Sequence, residues 1–202
     1  MIKLTNNSCK LCFKENCISE YTKNVIICKN CNSIYANSDE HIFPSITSVN
    51  NKIKIKVQKK IAKILAESYV EHLKLNECLS IRNMLDIGAG HGMLVELLRK
   101  KGIQSEGIES DELTVKNANP HITHKFFDEN YPIGKKYDLI SINQCLYYFD
   151  NQFDIIEKIS KMLRDNGRIL ISNINPESKF RLEHHIWTEG CKAVLGSQIF
   201  QN

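Results

Sequence analysis

The chain has 202 residues, room for one medium domain with a small appended module. Its 42% hydrophobic and 25% charged residues are ordinary for a globular protein, and nine Gly with four Pro exclude a fibrous or broadly disordered chain. The formal charge of +4 falls short of a dedicated nucleic-acid binder, no apolar stretch approaches the length of a membrane span, and Met-Ile-Lys-Leu-Thr at the start has no secretory apolar region, so the expected location is the cytoplasm.

Five of the eight cysteines fall in the first 31 residues: Cys9, Cys12, Cys17, Cys28 and Cys31. In a cytoplasmic chain this argues against a disulfide framework. Cys9-x2-Cys12 and Cys28-x2-Cys31 are separated by fifteen residues. Each pair can present two thiolates from a tight turn, and two such turns together give the tetrahedral sulfur coordination that suits Zn²⁺. Residues 1–36 are therefore expected to form a zinc ribbon ligated by Cys9, Cys12, Cys28 and Cys31. The competing readings are ordinary reduced cysteines or a redox site. Four thiolates leave no open position, so the ion is read as structural. It would supply stability that so short a segment cannot draw from a core. Cys17, with poorer spacing, is left out of the ligand set. Residues 37–51, polar and containing a Pro, read as a linker to a domain over 52–202.

From about 53 to 75, Val57, Ile61, Ile64, Leu65 and Leu73 recur at helical spacing. The lysines among them, Lys52, Lys54, Lys56, Lys59, Lys60 and Lys63, read as a solvated face. The chain then alternates. Strands are predicted at 84–87, 103–109, 122–127, 137–143 and 168–174. Helices are predicted at 93–101 (capped by Gly102), 111–117 and 153–163, the last with Ile155, Ile156, Ile159 and Leu163 on one face. Asp165-Asn166-Gly167 reads as a turn. This alternation implies βαβ units and a mainly parallel sheet, an α/β fold. The tail, 175–202, is less regular, with one further element possible around 194–200.

Asp86-Ile87-Gly88-Ala89-Gly90-His91-Gly92 follows a predicted strand and opens a predicted helix. Glycines there allow a tight turn and close approach of a ligand, and the helix start offers free N–H groups. Glu109 ends the next strand, 21 residues after Gly88, where an acid can accept from both hydroxyls of a ribose. The dinucleotide fingerprint would require Gly at 93, where the chain has Met93. A ligand with a ribose but no pyrophosphate fits the loop better, with Asp86 facing an ammonium group directly or through water.

The segment MLDIGAGHGMLVELLRKKGIQSEGIESD resembles the first two motifs of class I S-adenosylmethionine-dependent methyltransferases. YDLISINQCLYYF resembles their fourth-strand motif, and LRDNGRILISN their turn and fifth strand, usually L-x-x-G-G-x-L. The resemblance covers about 84–174, roughly half the chain, and implies a Rossmann-like sheet with helices on both faces. It implies that Asp86, Gly88, Ala89, Gly90 and Gly92 line the methionine end of the cofactor and that Glu109 holds its ribose. Ser110 and Asp111 would lie beside the adenine, and Asp128 would meet its amino group. Asn143 and Gln144 would close over the cofactor near its sulfonium. Ribbon and domain together resemble the zinc-ribbon methyltransferases of bacterial sugar and surface-polysaccharide pathways. Their second cysteine pair usually continues C-G-x-x-[YF], a Gly missing here at Asn32-Ser33.

Methyl transfer is an in-line displacement for which the protein mainly positions the acceptor, and a hydroxyl or acidic carbon acceptor also needs a base. Where the family usually carries an acid-His pair, this chain has Tyr147 and Tyr148. These can line an acceptor pocket or pack against a helix. His184 and His185, beyond the fifth strand, are the candidate bases, against a reading as surface residues. His91 can touch the cofactor carboxylate or stand exposed; His41 and His72 read as structural. The expected acceptor is a small sugar or sugar-linked precursor. A methyltransferase gripping RNA through the ribbon is the second reading, separable by salt-sensitive RNA affinity. A non-catalytic zinc- and nucleoside-binding scaffold is the third. The family core usually has seven strands, and the 28 residues after Ile174 have room for one more rather than two, so the expectation is a shortened sheet, a truncated chain or a subunit completed by its partner, and an unpaired edge would favour a homo-oligomer.

Overall fold

The computed structural model describes residues 8, 9, 12, 14–22, 25–31, 34–36, 52–75, 81–149 and 151–173. The expected linker, the tail with His184 and His185, and His41, Cys78, Trp187 and Cys191 lie outside the described residues.

Near the N-terminus, strands β1 (Ile18–Thr22), β2 (Val25–Cys28) and β3 (Ile34–Ala36) form an antiparallel sheet in the order β1-β2-β3. Its buried cluster is Cys9, Cys17, Ile26 and Cys28, with Cys12 and Ile18 packed against it. Three of those four core side chains are thiols.

The second unit begins with helix α1 (Lys52–Leu75), followed by β4 (Asn83–Ile87), α2 (Met93–Lys100), β5 (Gln104–Glu109), α3 (Glu112–Lys116), β6 (Ile122–His124) and β7 (Tyr137–Asn143). A 3-10 turn (Leu146–Tyr148) follows β7, and α4 (Gln152–Lys161) and β8 (Leu163–Ser172) complete the unit. The five strands pair in parallel in the order β6-β5-β4-β7-β8. The α/β class and the parallel sheet are as the sequence predicts. Asn83-Met84-Leu85-Asp86-Ile87 is buried at all five positions because β4 is the central strand, covered on both faces. From β4 the chain winds one way to β5 and β6, and from β7 the other way to β8. Right-handed crossovers therefore place α2 and α3 on one face and α4 on the other.

Three predicted elements differ from those observed. The third strand closes at His124 rather than 127, since β6 is an edge strand held only by β5, and Phe126 beyond it is 64% exposed. Helix α4 stops at Lys161 because Leu163 pairs with Tyr137 in the sheet. Of the predicted face only Ile159 is buried within the helix. The predicted turn at 165–167 is a bulge inside β8, where the register jumps from Tyr137↔Leu163 to Leu139↔Arg168 and Asn166 takes a φ of 63°. In α1 the predicted apolar set also divides. Leu73 is buried with Ala66 and Val70 against Leu94 and Leu98 of α2 and Met84, Leu139 and Leu170 of the sheet, whereas Val57, Ile61, Ile64 and Leu65 face outward. Among the described residues no helix is long and apolar enough to cross a membrane.

Candidate functional site

The strand order reverses between β4 and β7, and ligands of open α/β sheets bind beyond the carboxyl ends of strands at such a point. The chain leaves β4 there through the glycine loop. Gly88 and Ala89 both donate their N–H to the Ile108 carbonyl at 3.0 Å, which pins the loop to β5. Gly88, Gly90 and Gly92 have φ of 70°, 55° and 76°. Two of these glycines serve different ends. A Cβ on Gly92, at the start of α2, would lie 2.3 Å from Asn119 Nδ2 and 2.6 Å from Ile122 Cγ1, so that position is dictated by packing. A Cβ on Gly90 would meet nothing within 4 Å, so the space beside it is open to a ligand.

Two acids flank this opening. Asp86, at 4% exposure, accepts from Ser141 Oγ at 2.6 Å. Burial pushes its pKa up to about 7. The hydroxyl of Ser141 and the amide of Asn143 oppose the rise, while the nearby Glu109 carboxylate adds to it. Among the described residues no cation pairs with it. Glu109, at the end of β5, accepts from Gly90 N–H at 2.9 Å on one oxygen and from Asp111 N–H at 3.0 Å on the other. Its carboxylate is thereby fixed over the loop with lone pairs to spare.

The raised value at Asp86 makes a stability prediction. Its carboxyl binds a proton more tightly folded (about 7) than unfolded (3.8), so the fold is favoured below pH 4 and loses that advantage as pH rises from 4 to 7. The loss is on the order of 4 kcal/mol. Asp86→Asn is expected to remove this slope: its melting temperature should exceed that of the parent at pH 8 and approach it near pH 4. Equal melting curves at both pH values would contradict a buried, uncompensated carboxylate.

The other predicted residues are placed as follows. Ser110 Oγ lies 3.3 Å from Glu109 Oε1, and Asp111 caps α3 by accepting from Thr114 N–H. Asn143, at the end of β7, places its buried side-chain amide beside Asp86. Gln144 follows it in a left-handed conformation (φ 55°), with its N–H on the Ser172 carbonyl at 2.7 Å. Asp128 lies four residues past the end of β6, exposed, its Oδ1 accepting from Asn130 N–H and its carbonyl from Lys158 Nζ. It does not directly follow the third strand, because that strand is shorter than predicted. Tyr148 is half-buried in the 3-10 turn after β7, which also contains Tyr147. His91 is buried at 8% exposure, which overturns the exposed reading. Burial, then the charge of Lys59, lowers its pKa, and its Nδ1 has no hydrogen-bond partner.

Four residues near this site escape the sequence reading. Ser141 supports Asp86. Cys145 donates to the Ile87 carbonyl at 3.2 Å, and a Cβ on Gly88 would lie 2.5 Å from its Sγ. Tyr69 Oη lies 2.6 Å from Ser172 Oγ, which also accepts from Gln144 Nε2 at 3.4 Å. Only the polar residue in an apolar strand, Ser141, carried any signal. A separate cavity of about 260 Å³ is lined in part by Glu106, Lys125, Lys135 and Tyr137. Its acid is already taken up by Lys135 and by Tyr137 Oη, so it offers no comparable uncompensated group.

In the N-terminal unit the thiols of Cys9, Cys12, Cys28 and Cys31 lie within 4.8 Å of one another, as a metal ion would require. The Cys9–Cys31 and Cys12–Cys28 sulfurs are 3.7 Å apart. Burial opposes ionisation of Cys28, but N–H groups of Cys31 and Asn30 and the thiol of Cys17 outweigh it and bring its pKa to about 6. Cys17 stays outside the four, its Sγ 3.0 Å from the Lys14 carbonyl and 3.2 Å from Cys28 Sγ. The cluster fits a zinc ribbon.

Comparison with known proteins agrees with this geometry. The chain is 22% identical over 119 residues to a ubiquinone biosynthesis O-methyltransferase of Coxiella burnetii, covering 54% of this chain and 51% of that protein. It is 24% identical over 108 residues to the Aeromonas salmonicida protein of the same name, covering 48% and 45%. The chain thus spans about half the length of the curated relatives it matches. Among solved structures, the plantazolicin methyltransferase BpumL in complex with SAH superposes with a TM-score of 0.54 at 23% identity, covering 72% of this chain and 62% of that one. A SAM-dependent methyltransferase from Archaeoglobus fulgidus superposes with a TM-score of 0.55 at 21% identity, covering 68% and 62%. Residues 53–192, more than half of the chain, match the family described as the methyltransferase domain, and the chain belongs to that family.

Proposed function

We propose that this chain binds S-adenosylmethionine at the carboxyl ends of β4 and β7 and transfers its methyl group to a small polar acceptor. The observation that carries this reading is the open space at Gly90 between a buried acid without a cation, Asp86, and a second acid, Glu109, fixed by backbone N–H groups. Asn143, its buried amide beside Asp86, adds a polar group at the same end of the sheet. When bound, the cofactor supplies a methyl group activated on a sulfonium. Asp86 would hold its ammonium, and Gly88, Ala89, Gly90 and Gly92 would line the methionine portion. Glu109 would accept from the ribose hydroxyls, with Ser110, Asp111 and Asp128 around the adenine. Asn143 and Gln144 would close the sulfonium side. Tyr147 and Tyr148 remain candidates for the acceptor pocket, and His184 and His185 for the base. Zn²⁺ on Cys9, Cys12, Cys28 and Cys31 would hold a ribbon over 1–36, joined through 37–51 to the methyltransferase domain.

The finer reading of the acceptor is a sugar or surface-polysaccharide precursor, methylated on oxygen or carbon in the cytoplasm. It rests on the combination of a cysteine ribbon with this domain. The relatives above carry other acceptors in their names.

Calorimetric titration of the zinc-loaded chain with S-adenosylmethionine is expected to show micromolar-range binding. No heat together with no thermal shift would overturn the reading. Because the ammonium needs the ionised form of Asp86, affinity is expected to tighten about fivefold from pH 6 to pH 7, a range in which an α-amino group stays largely protonated. Asp86→Asn should bind more weakly and lose that dependence.

A further inference from the structure

Helix α1 carries two apolar stripes, and the described fold uses one. Ala66, Val70 and Leu73 are buried against α2 and the sheet. Ile53, Val57, Ile61, Ile64 and Leu65 are 74%, 51%, 54%, 58% and 40% exposed. At the turn of an α-helix these five fall within an arc of about 120°, roughly opposite the buried three. The same half of the helix is strongly basic. Lys52, Lys54, Lys56, Lys59, Lys60 and Lys63 all precede its first acid, Glu67. Lys56, Lys60 and Lys63 are exposed and border one flank of the outward stripe.

We propose that the N-terminal half of α1 docks this domain onto an anionic lipid surface. A stripe of Ile, Val and Leu bordered by lysines matches a helix lying in the interface plane. Its apolar face sinks to the acyl boundary while lysine stems reach back to acidic headgroups. The charge argues for this occupant over the others. A second copy of the face would set Lys56, Lys60 and Lys63 against the same lysines, with only Glu67 and Glu71 on the helix to offset them, and Glu67 already faces Lys63 at 3.9 Å. RNA would satisfy the lysines but not the stripe. Single strands are gripped by aromatic stacking, and the exposed large hydrophobic residues of this helix, among the described ones, are all aliphatic. An exposed aliphatic patch of this kind marks an interaction surface rather than a solvated face. The helix lies on such a surface and does not cross it.

The test is co-sedimentation of the full, zinc-loaded chain with vesicles of phosphatidylcholine alone or with about 30% phosphatidylglycerol, at low and high salt. The chain is expected to partition onto the anionic vesicles, and about tenfold less onto neutral ones or at high salt. Ile61→Asp with Ile64→Asp should abolish partition without changing the melting curve or S-adenosylmethionine affinity, because both side chains are exposed. Lys56→Glu with Lys60→Glu should weaken it at low salt only. Absence from anionic vesicles, or partition that survives the double Asp substitution, overturns the proposal. So does a dimer by light scattering that the Asp substitutions dissociate while lipid binding is absent.

Discussion

Gly90→Arg is expected to abolish S-adenosylmethionine binding and leave the fold standing, while Gly92→Ala is expected to destabilise the fold. Both positions have positive φ, so any side chain costs about 1 kcal/mol of backbone strain at either. They differ in what a side chain meets. At Gly90 it enters open space, the space assigned to the cofactor, so the fold pays little and the ligand is blocked. An affinity loss of a hundredfold corresponds to about 2.7 kcal/mol, a modest demand for an arginine standing where a ligand should lie. At Gly92 even a methyl group collides with Asn119 and Ile122, and Asn119 is not free to move. Its Nδ2 donates to the Gly92 carbonyl at 2.6 Å, and its backbone carbonyl accepts from Ile122 N–H. Overpacking of that kind typically costs about 1–3 kcal/mol beyond the strain. Calorimetry and thermal melts of the two variants separate the effects. If Gly90→Arg binds the cofactor as the parent does, the opening at Gly90 is not the site.

This division of labour among glycines shows what was legible in the sequence. The loop, Glu109 and the paired cysteines were readable because each is a short-range pattern with a fixed spacing, and the chemistry depends on that spacing. The order of strands was readable because each βα alternation is local. What packing decides was not readable. Helical periodicity in α1 finds apolar residues but cannot say which of two stripes turns inward, and here Ala66 and Val70 do so while Val57 and Ile61 do not. The apolar run to Phe127 looked like strand, but β6 has a neighbour on one side only and closes at His124. The hydroxyl on Asp86 comes from Ser141, 55 residues away, and Tyr69 meets Ser172 across 103. No local signal encodes such pairs. Nor did spacing show that Asp111, expected beside the adenine, caps α3.

Removal of zinc is expected to unfold the N-terminal unit, and single substitutions should reveal which thiols hold the ion. Among the described residues of that unit the buried apolar side chains are Cys9, Cys17, Ile26 and Cys28, so three of the four are thiols gathered at the cluster. A structural zinc site supplies on the order of 10 kcal/mol, far more than four small side chains can. The backbone is already arranged for it. Cys9 Sγ accepts from Cys12 N–H at 3.4 Å, and Cys28 Sγ from Asn30 N–H at 3.4 Å and Cys31 N–H at 3.5 Å, so both turns aim backbone N–H groups at sulfur. Cys17 differs although it is as near to Cys28 as any thiol. It donates to the Lys14 carbonyl, and burial, then its contact with Cys28, raises its pKa to about 11, both of which favour the neutral thiol over a ligand. One zinc per chain is therefore expected in the parent and in Cys17→Ser, and none in Cys28→Ser. The cobalt-substituted protein should show a four-thiolate spectrum that Cys17→Ser preserves. Should Cys17→Ser lose the metal while Cys31→Ser keeps it, the fourth ligand is Cys17, and the exposed Cys31 at the edge of the cluster is the spare.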